Sequence, residues 1–218
     1  TPLPRIADGV EERWSVDIDG ADDVTGSASA LFVLAVDDDD VEVVSLAGGT
    51  GDERWATDVG RNSSFGFLRG VLGGVVVGQT CDFDGACEAF GLEASSGEIL
   101  WTEENEGSTS ITARGTVVWS EPDSLELIDP RTGDRIERIR GDSVDTDGDY
   151  AYVRDDDDVE VFDLKDLSSE FGPVDVDDDS VGALYQGGKL ITAVEDELVV
   201  IDSNGDIDRE SRVPADFI

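Results

Sequence analysis

The heptapeptide Asp-Asp-Asp-Asp-Val-Glu-Val occurs twice in this chain, beginning at Asp37 and again at Asp155. Each copy lies between two segments in which apolar and polar residues alternate, as they do in a half-buried strand. The copies begin 118 positions apart, which is about three times a period near 39 residues. A repeat of this length, made of short alternating segments, predicts a fold that stacks copies of one small β-sheet.

Three tryptophans follow the same repeat. Trp14 and Trp55 both come after Glu-Arg, and Trp101 comes after Ile-Leu, at spacings of 41 and 46 residues. Each lies in a segment predicted to be the outer strand of its unit. We expect Trp14, Trp55 and Trp101 to fill the space between adjacent sheets, because a large aromatic side chain buries the most apolar area there.

A glycine turn precedes the outer strands. Gly51 and Gly97 each stand four residues before a tryptophan, and Gly133 stands four residues before Glu137. Glycine adopts the positive φ that a tight hairpin turn requires. The pattern predicts the same turn in consecutive units, with Glu137 in place of tryptophan in the third.

Each unit is predicted to contain four short strands, and no segment of useful length has helical periodicity. We therefore predict an all-β protein, a β-propeller of four-stranded blades that forms a single domain over residues 1–218. Five blades are favoured and six are the alternative. The repeats are approximately 21–60, 61–107, 108–141, 142–179 and 180–213, preceded by a lone outer strand at 9–19.

The segment Leu92–Trp101, Leu-Glu-Ala-Ser-Ser-Gly-Glu-Ile-Leu-Trp, resembles the quinoprotein-type, or PQQ-like, propeller repeat. That family contains dehydrogenases that hold pyrroloquinoline quinone with a calcium ion. It also contains cofactor-free scaffolds, among them the propeller lipoprotein that assists outer-membrane protein assembly. The dehydrogenases are much longer, their cysteine pair is adjacent in sequence, and none of their quinone-binding residues matches a position here. The resemblance therefore implies a scaffold without a cofactor.

Acidic residues outnumber basic ones by 53 to 15, which gives a formal net charge of −38. An extremely halophilic host is the favoured explanation, because at molar salt the Debye length is only about 3 Å and like charges barely repel. The acidity occurs in every predicted loop, and the only lysines are Lys165 and Lys189. A polyanionic mimic of nucleic acid and a multi-calcium protein are the alternatives. Binding to nucleic acid is excluded, because a phosphate backbone needs a basic surface.

The two cysteines, Cys81 and Cys87, enclose a short loop that contains Gly85. A disulfide is favoured, and it would indicate an oxidising compartment. Two free thiols in a reducing cell are the alternative. No metal site is predicted, because two thiols without histidine do not complete a tetrahedral shell.

The location and the partner are predicted only in outline. No membrane span is expected, because no segment of about 18 consecutive apolar residues occurs. No signal peptide is visible, and the chain begins at Thr1 without methionine, which indicates a processed or trimmed start. An extracytoplasmic or cell-surface location is favoured over the cytoplasm, and the expected partner is a protein.

The acidic hairpins are the candidate binding surface. In a propeller, the hairpins that join the second and third strands emerge on one face, so their carboxylates should form one acidic rim. The rim would dock a cationic partner or hold weakly bound cations; a solvated halophilic face is the alternative. The candidate residues are Asp37, Asp38, Asp39, Asp40, Asp82, Asp84, Glu121, Asp123, Asp155, Asp156, Asp157, Asp158, Glu195 and Asp196.

Catalysis is not expected. The chain has no histidine, which excludes nucleophilic triads and histidine-based metal catalysis. A glycosidase-like hydrolase that uses a pair of carboxylates in the central channel is the alternative. Its aromatic platforms for sugar would be Trp119 and Tyr185.

Overall fold

The computed structural model contains only β-strands, with no helix, among the residues that it describes. Those residues are 14–37, 40–61, 63–105, 107–112, 115–121, 123–147, 149–156, 158–176, 180–194, 197–202 and 206–212. The strands form five antiparallel four-stranded sheets, in each of which consecutive strands are neighbours. The predicted all-β fold of four-stranded units, with five of them favoured, is confirmed.

The sheets are numbered 1 to 5 in chain order, and each takes four consecutive strands. Sheets 1 and 2 contain β1 to β8, which are Ala21–Gly26, Ala30–Asp37, Asp40–Ala47, Glu53–Arg61, Phe65–Leu72, Val75–Cys81, Cys87–Glu93 and Ile99–Asn105. Sheets 3 to 5 contain β9 to β20, which are Ser108–Ile111, Val117–Glu121, Ser124–Ile128, Arg135–Arg140, Ser143–Asp147, Tyr150–Asp155, Asp158–Asp163, Ser169–Asp175, Ser180–Gln186, Lys189–Val194, Glu197–Asp202 and Ile207–Arg212.

The segment before β1 differs from the prediction of a lone outer strand at 9–19. Residues 14–18 do not form a strand, and residues 9–13 lie outside the described part of the chain. A side chain holds the segment in place instead, because the Trp14 indole N–H donates to the Gly48 carbonyl at 3.1 Å. Trp14 therefore packs on sheet 1 without the backbone pairing that a strand requires.

The chain divides into two compact units, residues 1–99 and 100–218. In the first unit, one hydrophobic cluster joins two sheets face to face: Phe32 and Leu34 come from sheet 1, and Phe90 and Leu92 come from sheet 2. All four side chains are fully buried. The cluster shows why one sheet is not stable alone, since half of its alternating residues need a second sheet to cover them.

In the second unit, sheet 4 is covered on both faces. Ala151 and Val153 belong to a cluster that includes Leu125 and Leu127 of sheet 3. Tyr152, which lies between them in sequence, belongs to a different cluster with residues of sheet 5, among them Leu190, Val199 and Ile201. Because successive side chains of a strand point to opposite faces, the short run from 151 to 153 contributes to two cores.

The turns between third and fourth strands share one backbone geometry. In three of them a glycine has φ of 75° to 76°, in the left-handed region. Its amide donates to the carbonyl of the first turn residue: Gly51 to Ala47 at 2.8 Å, Gly97 to Glu93 at 2.8 Å, and Gly133 to Asp129 at 2.9 Å. The glycine turn predicted from sequence is thus present in three consecutive sheets.

The fourth sheet keeps this turn without glycine. Leu167 occupies the corresponding position with φ of 53°, and its amide donates to the Asp163 carbonyl at 2.8 Å. The Asp163 amide in turn donates to the Ser168 carbonyl at 2.9 Å, just as the Asp129 amide donates to Asp134 at 2.9 Å. The backbone of the turn therefore does not depend on glycine.

Each of the three repeated tryptophans lies on the turn that follows it. Beyond the contact of Trp14, the indole N–H of Trp55 donates to the Ala94 carbonyl at 3.2 Å, and that of Trp101 donates to the Pro130 carbonyl at 2.8 Å. The rings also cover the turn glycines. A Cβ atom added at Gly51, Gly97 or Gly133 would lie 2.6, 2.6 or 2.9 Å from a ring carbon, closer than carbon atoms approach.

Candidate binding surface

The described candidate acids of sheets 1 to 4 lie at one topological position, at the hairpin between the second and third strands of the sheet. In sheets 1 and 4 the hairpins close with Asp37 opposite Asp40 and with Asp155 opposite Asp158. Those four carboxylates are exposed, as are Asp84, Asp123 and Asp156. The candidates Asp38, Asp39, Asp157, Glu195 and Asp196 lie outside the described residues.

Two of the candidate acids are partly used inside the fold. Glu121 is half-buried and accepts hydrogen bonds from the Arg138 guanidinium at 3.3 Å and the Ser124 hydroxyl at 2.8 Å. Asp82 is also half-buried, and its carboxylate accepts the Ala86 amide at 2.8 Å. These two therefore contribute less negative charge to solvent than the exposed aspartates.

An open cleft extends the acidic surface of sheet 1. It has a volume of about 590 Å³ and begins at the β2–β3 hairpin, where Asp37 and Asp40 lie. The acidic residues that line it are Asp17, Asp19, Asp37, Asp40, Glu42, Glu53 and Asp58. Carboxylates in this number favour a cationic group in the cleft, since they repel one another when no counter-charge is present.

The β6–β7 hairpin is closed by a disulfide. Cys81 and Cys87 face each other across the hairpin with a Cα–Cα distance of 4.0 Å and form a disulfide. Within the loop the Asp82 amide donates to the Ala86 carbonyl at 2.9 Å, and Gly85 has φ of 89°. Phe83 projects from this loop with 91% of its surface exposed.

The first strands of sheets 1 and 2 make contacts that the sequence pattern did not indicate. There the Asp23 carboxylate accepts the Leu68 amide at 2.7 Å, and the Asp22 carboxylate accepts the Gly66 amide at 3.5 Å. These bonds satisfy backbone donors on β5, the first strand of sheet 2, which would otherwise be an open edge. The available signal was adjacent aspartates in a predicted strand, where they are otherwise rare.

Arg69 is a half-buried cation on β5. Its Cζ atom lies 4.7 Å from the centre of the Phe67 ring, and its guanidinium donates to the Gln79 side chain at 3.5 Å. Burial lowers the pKa of Arg69, and the nearby charge of Asp23 opposes that effect. The Phe65 and Phe67 ring centres are 5.8 Å apart, so the two rings and the Arg69 guanidinium form one contact series along β5.

The aromatic platforms of the hydrolase alternative are engaged in packing. Trp119 contacts Trp101 edge to face with ring centres 6.4 Å apart. Tyr185 contacts Tyr150 in the same way at 4.9 Å and Phe171 at 5.8 Å. Both rings therefore take part in aromatic packing within the fold.

Neither a metal-binding cluster nor a membrane-spanning helix is found in the described part of the chain. Within it, no cluster of three or more histidine, cysteine, aspartate or glutamate side chains has an arrangement that could hold a metal ion. Nor does that part of the chain contain a helix with the length and apolarity to cross a membrane.

Comparison with known proteins gives a likeness in fold. No protein-family model matches the chain, and no curated protein matches it in sequence. BamB from Moraxella catarrhalis superposes with a TM-score of 0.53 at 18% identity, over 88% of this chain and 62% of BamB. A structure described as the eukaryotic initiation factor superposes with a TM-score of 0.62 at 12% identity, over 90% of this chain and 57% of that one.

The chain thus spans less than two thirds of the length of either protein. A third structure, KlHsv2 with loop 6CD replaced by a Gly-Ser linker, has a TM-score of 0.50 at 11% identity and covers 90% of this chain. At these identities the likeness concerns architecture alone. Together with the five four-stranded antiparallel sheets, it shows that this chain has the β-propeller fold.

Proposed function

We propose that this chain is a non-catalytic protein-binding scaffold whose acidic hairpins dock a cationic partner. The supporting observation is that exposed aspartates recur at the same hairpin in sheets 1 to 4. The PQQ-like motif at 92–101 and the fold shared with BamB agree with a scaffold that needs no cofactor. Complementary charge of this kind steers a partner to the surface and aligns it.

A pair of charge variants tests the proposal. Asp37→Asn with Asp40→Asn removes two charges from a hairpin, and Glu103→Gln with Glu104→Gln removes two exposed charges from β8 as the matched control. A partner is first isolated from the source cells with the full chain and purified, and its binding is then measured by calorimetry at several salt concentrations. We expect the hairpin variant to bind about 3- to 10-fold more weakly and with a smaller salt dependence.

The control variant should bind as the wild-type chain does. Equal effects of the two variants would mean that the hairpins attract by net charge alone and are not a docking surface. Failure to isolate any partner under these conditions would reject the scaffold proposal itself.

We further propose that the acidity is an adaptation to molar salt. With a net charge of −38, the folded chain repels itself, and that repulsion weakens as the Debye length falls from about 10 Å at 0.1 M to about 3 Å at 1 M. The urea midpoint of unfolding should therefore rise as KCl increases over this range. An unchanged midpoint in dilute buffer would contradict the halophilic origin.

An extracytoplasmic location is proposed from the Cys81–Cys87 pair. Disulfides persist in oxidising compartments and are rare in a reducing cytosol. Protein taken from the source cells with its thiols blocked at lysis should gain no mass from alkylation unless a reductant is added first. Two thiols alkylated without reductant would remove the support for this location.

A further inference from the structure

Phe83 is the most exposed large apolar side chain among the described residues. Its exposed fraction is 91%, and the next highest value is 61%, at Ile136. Burying a phenylalanine side chain at an interface removes a large apolar area from water and so stabilises the complex. An exposed ring at a hairpin tip is therefore a large potential contribution to binding that the fold itself does not use.

The loop that presents Phe83 is held in one conformation. The disulfide closes its base, and two hydrogen bonds join Asp82 to Ala86, one from the Asp82 amide and one to the Asp82 carboxylate. A third bond runs from the Gly85 amide to the Asp82 carbonyl at 3.3 Å. A ring on an ordered loop binds with a smaller entropy cost, because less chain freedom remains to be lost.

The surroundings of Phe83 are negative. The exposed Asp84 follows it and the half-buried Asp82 precedes it, and no lysine or arginine occurs in the sequence between Arg69 and Arg114. A surface that receives this loop must accept an apolar ring and place positive charge around it, since an uncompensated carboxylate at an interface is costly.

The other hairpins at this topological position lack these features. Their tip sequences are Asp37–Asp40, Glu121–Asp123, Asp155–Asp158 and Glu195–Asp196, which contain no aromatic residue and no cysteine. The Phe83 ring, the disulfide and the two flanking aspartates therefore occur together at one of five equivalent hairpins. A general requirement of the fold or of the salt environment would place them at more than one.

We infer that Phe83 is the anchor residue of a protein–protein contact, inserted into an apolar pocket that lysine or arginine side chains border on the partner. The inference rests on the proposed scaffold function and specifies the chemistry of its partner. The β6–β7 hairpin supplies the apolar contact, and the acidic hairpin of sheet 1 supplies the steering charge.

The experiment uses the full chain with p-benzoylphenylalanine at position 83, or at position 136 as the matched exposed control. Irradiation in the source cells should give a discrete adduct from position 83 that position 136 does not give. Mass spectrometry of the adduct should place the linked residue beside lysine or arginine and apolar residues. The partner so identified is then purified, and its affinity is measured for the wild-type chain, Phe83→Ala and Ile136→Ala.

Phe83→Ala should weaken binding by about 30-fold, the level that defines an anchor residue, and Ile136→Ala should leave it unchanged. Both side chains are exposed, so both variants should keep the wild-type unfolding midpoint. Cys81→Ser with Cys87→Ser keeps the ring but frees the loop, and it should weaken binding by about 3- to 10-fold through the added entropy cost.

Three results would overturn the inference: no adduct specific to position 83, an adduct on a surface without lysine or arginine, or an affinity unchanged by Phe83→Ala. If Phe83→Ala binds normally while Asp37→Asn with Asp40→Asn binds weakly, the anchor is wrong and the scaffold proposal stands. If no partner is found with any variant, both proposals fail.

Discussion

The turns covered by Trp55 and Trp101 have the same backbone as the turn that contains Leu167, but their side chains are exchanged. In the first case a glycine lies under a tryptophan ring; in the second a leucine fills the space with its own side chain. Glu137 stands in sheet 3 where Trp55 stands in sheet 1, since each pairs with the residue two positions before its turn. A tryptophan at this position is followed in the next sheet by a turn glycine, and the glutamate at this position is followed in the next sheet by a turn leucine.

This comparison separates two reasons for a turn glycine. Positive φ costs a leucine about 1–2 kcal/mol, and burial of its side chain offsets about 1.5–3 kcal/mol. Leu167 is 7% exposed, so the burial of its side chain offsets the cost of its positive φ. At Gly97 and Gly133 no residue other than glycine fits, because any Cβ would overlap the tryptophan ring. Glycine is therefore required by the ring more than by the backbone conformation.

The largest expected effect comes from removing the ring. Trp101 is 7% exposed and contacts both Trp119 and the Pro130 carbonyl. Trp101→Ala should lower the free energy of unfolding by about 3–5 kcal/mol, measured by urea unfolding at a fixed high KCl concentration. Glu137→Ala, at the equivalent exposed position, should change it by no more than about 0.5 kcal/mol. Equal losses would mean that the two positions are not exchanged as described.

The next effect comes from placing leucine under the ring. Gly133→Leu should cost about 3 kcal/mol, because the strain of positive φ adds to overlap with Trp101. The same change at Gly49 is the control, since no atom lies near the Cβ position there and its φ is not positive. It should cost no more than about 0.5 kcal/mol.

A double variant isolates the ring contact within that cost. In the Trp101→Ala background the overlap is gone, so Gly133→Leu should cost only the strain of about 1–2 kcal/mol. An identical cost in both backgrounds would show that backbone strain alone selects glycine at this turn.

Substitutions at Leu167 should lower the free energy of unfolding in an unusual order, with alanine worse than glycine. Leu167→Ala removes the buried side chain but keeps a Cβ at positive φ, so it should cost about 2–3 kcal/mol. Leu167→Gly also relieves the strain and should cost less. Leu164, buried in the same turn at ordinary φ, is the control. There glycine should be worse than alanine by about 0.5–1 kcal/mol, and unfolding midpoints of the four variants give both orders.

The sequence was sufficient for features that repeat. The period near 39 residues predicted the four-stranded units, and Gly51, Gly97 and Gly133 predicted three of the turns. Leu167 could not be predicted, because positive φ at a leucine arises only when tertiary packing supports it. For the same reason the contact of Asp23 with Leu68 was missed, since it joins residues 45 positions apart through a backbone amide.

The candidate surface was predictable in position but not in chemistry. Alternating strands predicted the acidic tracts in hairpins, and the described acidic residues of sheets 1 to 4 lie at those hairpins. Phe83 lies between two aspartates in its loop. Its exposure could not be predicted from that sequence, because exposure depends on how the loop is closed. The contact of Glu121 with Arg138 likewise depends on the strand register, which sets Arg138 opposite Glu126 on β11 and lets its guanidinium reach Glu121 on the strand beyond.

A smaller effect concerns the side-chain oxygen that closes each turn. The Asp134 amide donates to the Thr132 hydroxyl at 3.2 Å, and Thr50, Ser96 and Asp166 accept the same bond in the other turns. Thr132→Ala should cost about 0.5–1.5 kcal/mol in urea unfolding, and Thr132→Ser should cost less because it keeps the acceptor. A serine variant as unstable as the alanine variant would assign the loss to the threonine methyl group.

The smallest expected effect is a dependence of stability on pH, which the tyrosines of the later sheets have and the tryptophans of the early sheets lack. Tryptophans pack the early sheets, whereas Tyr150, Tyr152 and Tyr185 pack the later ones, and only a phenol titrates. Burial raises the pKa of Tyr185, and the charges of Glu170 and Tyr150 raise it further. The folded state therefore holds the phenol proton more tightly than the unfolded state, whose tyrosine pKa is about 10.

This stabilisation is present below that pH and is lost as pH rises through the folded pKa. The ultraviolet absorbance of tyrosinate, taken as the wild-type titration minus that of Tyr185→Phe, should give a midpoint above about 10. Glu170→Gln should lower the midpoint, because one neighbouring negative charge is removed. A midpoint at or below the unfolded value, unmoved by Glu170→Gln, would show that the phenol is solvated and that the later sheets gain no pH dependence from it.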